Sequence, residues 1–178
     1  MNPYKIIEKY YVKDSAIYRI LKTHSEQVAQ KALSVLQNHP ELEVDRQFVF
    51  EAAMLHDIGI NLCNAPGIHC FGTHKYIEHG YLGADLLRTN GFPLHALVCE
   101  RHTGTGLSLS VIIENDLPLP HRDLMPVSLE EQIICYADKF YSKSHPEKEL
   151  PLDKVRSGLM KHGAEHVSRF DAWHKLFG

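Results

Sequence analysis

Apolar residues recur at three- and four-residue steps through most of the chain, and glycine and proline cut that periodicity into separate helical segments. Asp14 or Ser15 can cap a helix running to about Gln37, with Ile17, Ile20, Leu21, His24 and Val28 on its apolar face. Asn38, His39 and Pro40 end it, and Asp45 caps the next. There Phe48, Val49, Ala52, Ala53 and Leu55 form the inward stripe, and His56 continues the line of Val49 and Ala53. The run from Glu51 to Gly59 therefore delivers His56 and Asp57 side by side at a helix end, where Gly59 is expected to free the backbone to stop. Thr73 reads as the cap of a helix to about Arg88, with Tyr76, His79, Gly83, Leu86 and Leu87 on one face. Pro93 suits the first turn of another, in which Leu94, Val98 and His102 follow at four-residue steps, directly before Thr103-Gly104-Thr105-Gly106.

Ser128 and Glu131 form a capping-box pattern ahead of Ile133, Ile134 and Ala137, and Asp138 falls on the same inward face as Ile134. A last stretch, residues 152–177, carries a seam of Val155, Leu159, Val167, Phe170, Trp173 and Leu176, with Gly158 and Gly163 predicting a bend or break. Two stretches lack periodicity. Residues 60–72 read as an active-site rim loop, and 107–127, with Pro118, Pro120 and Pro126, as an irregular excursion that begins with either a helical turn or an extended piece at Leu109–Ile113. The pattern predicts a compact all-α, multi-helix bundle forming one domain over residues 1–178, without a linker or an internal repeat.

Composition narrows the function. The 178 residues are 44% hydrophobic and 23% charged, ordinary for a globular domain. A net charge of -3 and a pI near 6.5 supply no broad basic field, so nucleic acid is not expected as the main partner, although a small basic pocket could hold a nucleotide. The first 13 residues lack the apolar core of a leader, and no run approaches the length that spans a bilayer, so the expected location is cytoplasmic with no membrane partner. Cys63, Cys70, Cys99 and Cys135 are expected as free thiols. The 13 histidines are the unusual figure, and histidine is the commonest metal ligand.

Six polar residues fall on inward helical positions of five segments: His24, His56, Asp57, His79, His102 and Asp138. A carboxylate facing an apolar interior needs a cation or a hydrogen-bonding partner. Imidazole and carboxylate together suit iron, manganese, zinc, cobalt or nickel. Six ligands exceed the three or four of a mononuclear hydrolytic site, and one carboxylate can bridge, so the arithmetic points to two divalent metal ions.

In this order the six residues resemble the HD-domain metal-dependent phosphohydrolases, and His56-Asp57-Ile58-Gly59 matches their His-Asp-Ile-Gly variant. The resemblance covers roughly Thr23 to Phe140, and Glu100-Arg101-His102-Thr103-Gly104 and Tyr136-Ala137-Asp138-Lys139 extend it to a subgroup of small HD hydrolases. It implies a compact HD-domain bundle in which His24, His56, Asp57 and Asp138 hold a first metal while His79 and His102 hold a second across a bridging Asp57. Lys139-Phe140 and the insert between His102 and Asp138 depart from the HD enzymes that cleave diadenosine polyphosphates, to which the chain is similar in part.

The expected activity is hydrolysis of a small phosphorylated substrate, a nucleotide or another metabolite, through a metal-activated water. Asp57 or a nearby carboxylate would orient that water, Lys139 and Arg101 are candidates for phosphate contact and leaving-group stabilisation, and Arg122, Lys75 and His74 are weaker candidates on the rim. Two other classes use a comparable ligand set: an HD-fold di-iron oxygenase and a non-catalytic nucleotide-binding module. Cys63, His69, Cys70 and His74 offer a separate zinc-site reading of the rim loop, against the plainer reading of a loop without metal. His39, His95, His121, His145, His162, His166 and His174 are expected on the surface. Oligomeric state is not legible.

Overall fold

A computed structural model describes residues 1–146 and 148–178. Among them the chain forms nine α-helices and one two-stranded sheet. A short helix that the periodicity did not indicate, α1 (Pro3–Ile7), leads in, and Tyr11 beyond it donates its hydroxyl to the Ile58 carbonyl at 2.7 Å. It thereby braces the turn after His56-Asp57. Then comes α2 (Ala16–Asn38), capped by Ser15, whose hydroxyl accepts the Tyr18 N–H; Asp14 lies just outside at φ 61°. Asp45 caps α3 (Arg46–Leu55) by accepting the N–H groups of Gln47 and Phe48.

The 60–72 stretch is built rather than loose. A 3-10 turn at Ile60–Leu62 runs into the antiparallel strands β1 (Asn64–Ala65) and β2 (Cys70–Phe71), joined through a second turn at Pro66–Ile68 and a left-handed His69. The next helix does not start at Thr73, whose N–H goes instead to the Leu62 carbonyl. A 3-10 turn at Tyr76–Glu78, in which the Glu78 carboxylate accepts the Lys75 N–H at 2.6 Å, leads into α4 (His79–Thr89). After α5 (Pro93–Arg101), the excursion opens with α6 (Leu109–Glu114), so the ambiguous Leu109–Ile113 piece is helical.

Ser128 caps α7 (Leu129–Asp138) by accepting the Glu131 N–H. Glu131 itself reaches the Val127 N–H rather than closing a capping box on Ser128. The carboxy-terminal stretch breaks at Gly163 (φ 137°) into α8 (Leu152–Met160) and α9 (Ala164–Phe177), while Gly158 stays inside α8. The break resets the phase of the seam: Phe170, Trp173 and Phe177 are buried, Val167 is half-buried and Leu176 is exposed.

In the bundle, α2 packs on α3 and α7, α5 packs on α3, α4 and α7, and α9 lies against α7 and α8. One apolar cluster runs from Ile6 to Phe177 through all of them; a second, of Leu107, Ile112, Leu119 and Leu124, is built from the excursion, with Ile77 and Tyr81 packed against it. Gly59 has an ordinary right-handed backbone (φ -85°), so its role is not to release the helix. A Cβ there would lie 2.3 Å from the His79 carbonyl oxygen and 2.5 Å from the Gly83 nitrogen, so glycine lets the turn after α3 touch the backbone of α4. Among the described residues no helix is long and apolar enough to cross a membrane.

Candidate metal centre

The six inward polar side chains converge. His24 lies midway along α2 between Leu21 and Val28; His56 and His102 are the C-cap residues of α3 and α5; His79 opens α4; Asp138 ends α7. All six are buried, His56 and Asp57 completely. His24 Nε2 is 2.9 Å from Asp138 Oδ1 and 3.2 Å from Asp57 Oδ2, and His56 Nε2 is 3.2 Å from the same Asp57 oxygen. On the other side, His79 Nε2 and His102 Nε2 are each 3.3 Å from Asp57 Oδ1 and 3.1 Å from one another. Asp57 thus turns one oxygen to each group, and in each group the ligand atoms lie within 4.8 Å of one another.

Three of the imidazoles are aimed by the backbone. The Nδ1–H groups of His56, His79 and His102 donate to the carbonyls of Ala53, Tyr76 and Cys99, three residues earlier in each case, at 2.6, 2.6 and 2.7 Å. For His56 and His102 these are last-turn carbonyls that the helix itself leaves without an N–H. A ring that gives its Nδ1 proton to a carbonyl presents a bare Nε2 lone pair, the form that binds metal. Two such lone pairs facing each other at 3.1 Å, and His56 Nε2 and both Asp57 oxygens buried without an aligned hydrogen bond, fit a cationic occupant in each group.

Two lysines complete the electrostatics. Lys139 Nζ lies 2.7 Å from Asp138 Oδ2 and donates to the His102 carbonyl at 3.1 Å, and Lys143 Nζ lies 2.6 Å from Asp57 Oδ2. Burial by itself would push both carboxyls up, but Lys143 and His56 hold Asp57, and Lys139 and His24 hold Asp138, well below the usual carboxylate range. Burial pulls His102 down to about 4. It also opposes a charge on His56, but Asp57 and Asp138 outweigh it and raise that imidazole to about 9, so that a proton on Nε2 takes the place a metal ion would fill.

Sequence reasoning missed Lys143. It follows α7 at four residues from Lys139, but the chain there is irregular, so no helical face could place it. Its ammonium sits between two cavities, one of about 410 Å³ against Tyr76, Ala65 and Ile68 and one of about 320 Å³ that also reaches Asp138 and Lys139.

Other expected groups go elsewhere. Both oxygens of Glu131 hold Arg101 Nη1 at 3.0 Å, a pair that pins α5 to α7. Glu100 takes Arg122 and Arg88, each at 2.7 Å, and Glu78 takes His74 at 3.1 Å. Arg101 and Arg122 are therefore engaged in ion pairs and His74 in a contact with a carboxylate. In the rim loop Cys63 and Cys70 are buried while His69 and His74 are exposed, so the four do not come together; among the described residues no metal-binding group includes them. Burial pushes those two thiols up to about 12 and about 11, away from the thiolate that zinc requires. All four cysteines are free and buried.

The surface expectation fails for His166, which is 2% exposed and accepts the Thr105 N–H at Nδ1. His39, His95 and His174 are half-buried, and His121, His145 and His162 are exposed. The break at Gly163 turns His166 inward with Phe170, one helical turn on.

Comparison with known proteins agrees with this arrangement. An uncharacterized protein of Methanocaldococcus jannaschii is 39% identical over 155 residues, covering 81% of this chain and 82% of the relative. Two proteins named tRNA (cytidine(56)-2'-O)-methyltransferase, from Thermoplasma volcanium and Picrophilus torridus, are 27% and 30% identical over 173 and 152 residues. The chain covers only 44% and 40% of their lengths. No solved structure gives a significant match. The HD domain matches residues 21–142, from the helix that carries His24 to the segment just beyond Asp138. The chain belongs to the HD-domain family, the metal-dependent phosphohydrolase superfamily.

Proposed function

We propose that the protein is a metal-dependent phosphohydrolase acting on a small phosphorylated substrate, with His24, His56, Asp57 and Asp138 holding one divalent ion and Asp57, His79 and His102 a second. The observation that carries this reading is the placement of Lys139 and Lys143 on the two ligand carboxylates, with both lysines and Asp138 lining a cavity. Bound divalent ions would supply Lewis-acid charge and lower the pKa of a water. Asp57, fixed between two ligand groups and ionised, orients the attacking water, and Lys143 and Lys139 bind and neutralise the phosphoryl oxygens. One P–O bond forms from the water oxygen as the ester P–O bond breaks, and a proton from the water ends on the departing oxygen.

The tRNA substrate named for the two longer relatives prompts a second reading, in which the phosphorylated group belongs to an RNA rather than to a free metabolite. Elemental analysis of the purified protein, followed by phosphate release from metabolites, free nucleotides and 2'- or 3'-phosphorylated oligoribonucleotides with manganese, cobalt or nickel, tests both. Phosphate release that weakens in Lys143→Met through a KM about tenfold or more higher supports the role of that lysine, since hydrogen bonds to charged groups carry about 1.5–3 kcal/mol. Iron-dependent oxygen uptake without phosphate release would overturn hydrolysis in favour of an oxygenase.

A further inference from the structure

The Thr103-Gly104-Thr105-Gly106 run directly after His102 is not used by the metal centre, yet the structure builds it with care. Two cavities share Gly104 and His162 in their walls. The first, about 320 Å³, is lined by Asp138, Lys139, Lys143 and Lys154 and so faces one ligand carboxylate, that of Asp138. The second, about 340 Å³, has an apolar wall of Ile77, Leu107, Val111 and Leu117, faced by the polar groups of Thr103, Asn115, Lys161, His162 and His166. Each is of the size that receives a small ligand or one part of it.

The shared wall is kept low by glycine. Gly104 has φ 62°, and a Cβ on it would lie 3.0 Å from the His166 ring. That ring cannot readily swing aside, because Thr105 holds its Nδ1 through both its N–H at 3.2 Å and its hydroxyl at 2.8 Å. Arg169 locks the same segment from α9 by donating to the Thr105 carbonyl and the Gly106 carbonyl. The apolar wall belongs to the excursion's own small core, to which Leu107 is tied by paired backbone hydrogen bonds with Leu124 at 3.0 and 2.8 Å. Of the two adjacent cavities, the one at Asp138 carries three lysines, and the other adds an apolar wall beside Lys161, His162 and His166. A ligand that fills both carries an anion on one side and a carbon body on the other.

We propose that the cavity of Ile77, Leu107, Val111 and Leu117 is a subsite for an apolar, ring-sized body attached to the substrate's phosphate, so that the 107–127 excursion selects esters of such a body over small or wholly polar phosphates. This rests on the phosphohydrolase reading and names its substrate class. The probe is calorimetric binding of phenylphosphonate and methylphosphonate, whose C–P bond resists hydrolysis, to the manganese-loaded protein. The wild-type chain should bind the phenyl compound about tenfold or more tightly, the scale expected for burying one ring.

Val111→Trp, which fills the cavity, should bring that ratio below about threefold, whereas Val111→Ala should retain the preference. Leu117→Trp gives a second filling variant if Val111→Trp does not fold, as judged by its thermal transition. A ratio near one in the wild type, or one unchanged in a folded filling variant, overturns the subsite. A phenyl preference without phosphate release from phenyl phosphate leaves the subsite standing and overturns the hydrolase reading. Equal turnover of methyl and phenyl phosphate overturns the subsite alone.

Discussion

The helices that carry the six ligand side chains share one large apolar cluster, whereas the 107–127 excursion packs on a separate small one of Leu107, Ile112, Leu119 and Leu124. In the first region each polar side chain is locked twice, by packing and by its own hydrogen bonds: three histidines give Nδ1–H to helix or turn carbonyls, and Asp57 is shut between imidazoles and Lys143. In the second, attachment runs through a few peripheral links, chiefly Arg122 to Glu100, the Val127 N–H to Glu131, and the packing of Ile77 and Tyr81 on the small cluster. The lesson is a division of labour. A cluster buried in a large core can keep charged groups at ligating distances, while a lightly anchored excursion can change its lining without disturbing them.

That contrast can be broken most severely at its centre. Asp57→Ala should remove both metal groups at once, because the same carboxylate faces each, so metal content and phosphate release should both fall to background by elemental analysis and turnover. A variant that kept one full equivalent of metal would show that the two groups do not depend on a shared carboxylate. Next in size, Gly59→Ala drives a Cβ into the His79 carbonyl and the Gly83 nitrogen, both backbone atoms that cannot step aside. Overpacking of this kind costs about 3 kcal/mol or more, which for a chain of this length lowers the thermal transition by about 6 °C or more. Metal affinity should fall with it, since His79 sits on the displaced backbone.

A smaller effect should appear in the excursion. Glu100→Gln takes the charge from both Arg88 and Arg122 and should cost about 1–2 kcal/mol, seen as faster proteolytic nicking within 107–127 at unchanged metal content. Equal loosening of both regions would dissolve the distinction drawn between them. The smallest effect concerns His166, where burial, together with Arg169, holds the imidazole below its ordinary pKa of 6.5. It is neutral in the folded chain, and the unfolded chain takes up its proton first. Its contribution to stability is therefore complete above about pH 6.5 and is lost progressively as the pH falls below that toward the folded value. The drop in melting temperature between pH 7.5 and 5.5 should be shallower in His166→Gln than in the wild-type chain.

Much of the first region was legible in the chain because its signals are local. Ser15, Asp45 and Ser128 read as caps and act as caps, since a side-chain oxygen two or three residues before an unpaired N–H needs no tertiary partner. The inward phase of His24, His56, His79, His102 and Asp138 followed from helical period alone. Thr73 failed as a cap because its backbone joined the rim hairpin at Leu62, a contact made across the loop. Leu176 failed because Gly163 breaks the helix and resets the phase by which the seam had been counted. His166 was hidden for the same reason. Gly59 was placed correctly and explained wrongly, its need for no side chain arising from α4, twenty residues away.

By itself the sequence determined a helical chain, the positions of most helix starts, and six polar groups aimed at a common interior, because cap chemistry and a period of 3.6 residues act within a few residues. Only the tertiary structure decided that Asp57 offers one oxygen to each ligand group, that Lys143 rather than Arg101 reaches the carboxylates, and that Gly104 lies in the walls of both the cavity at Asp138 and the one against Leu107 and Val111. Those are distances between segments remote along the chain. They depend on how the whole core closes, which no local pattern encodes.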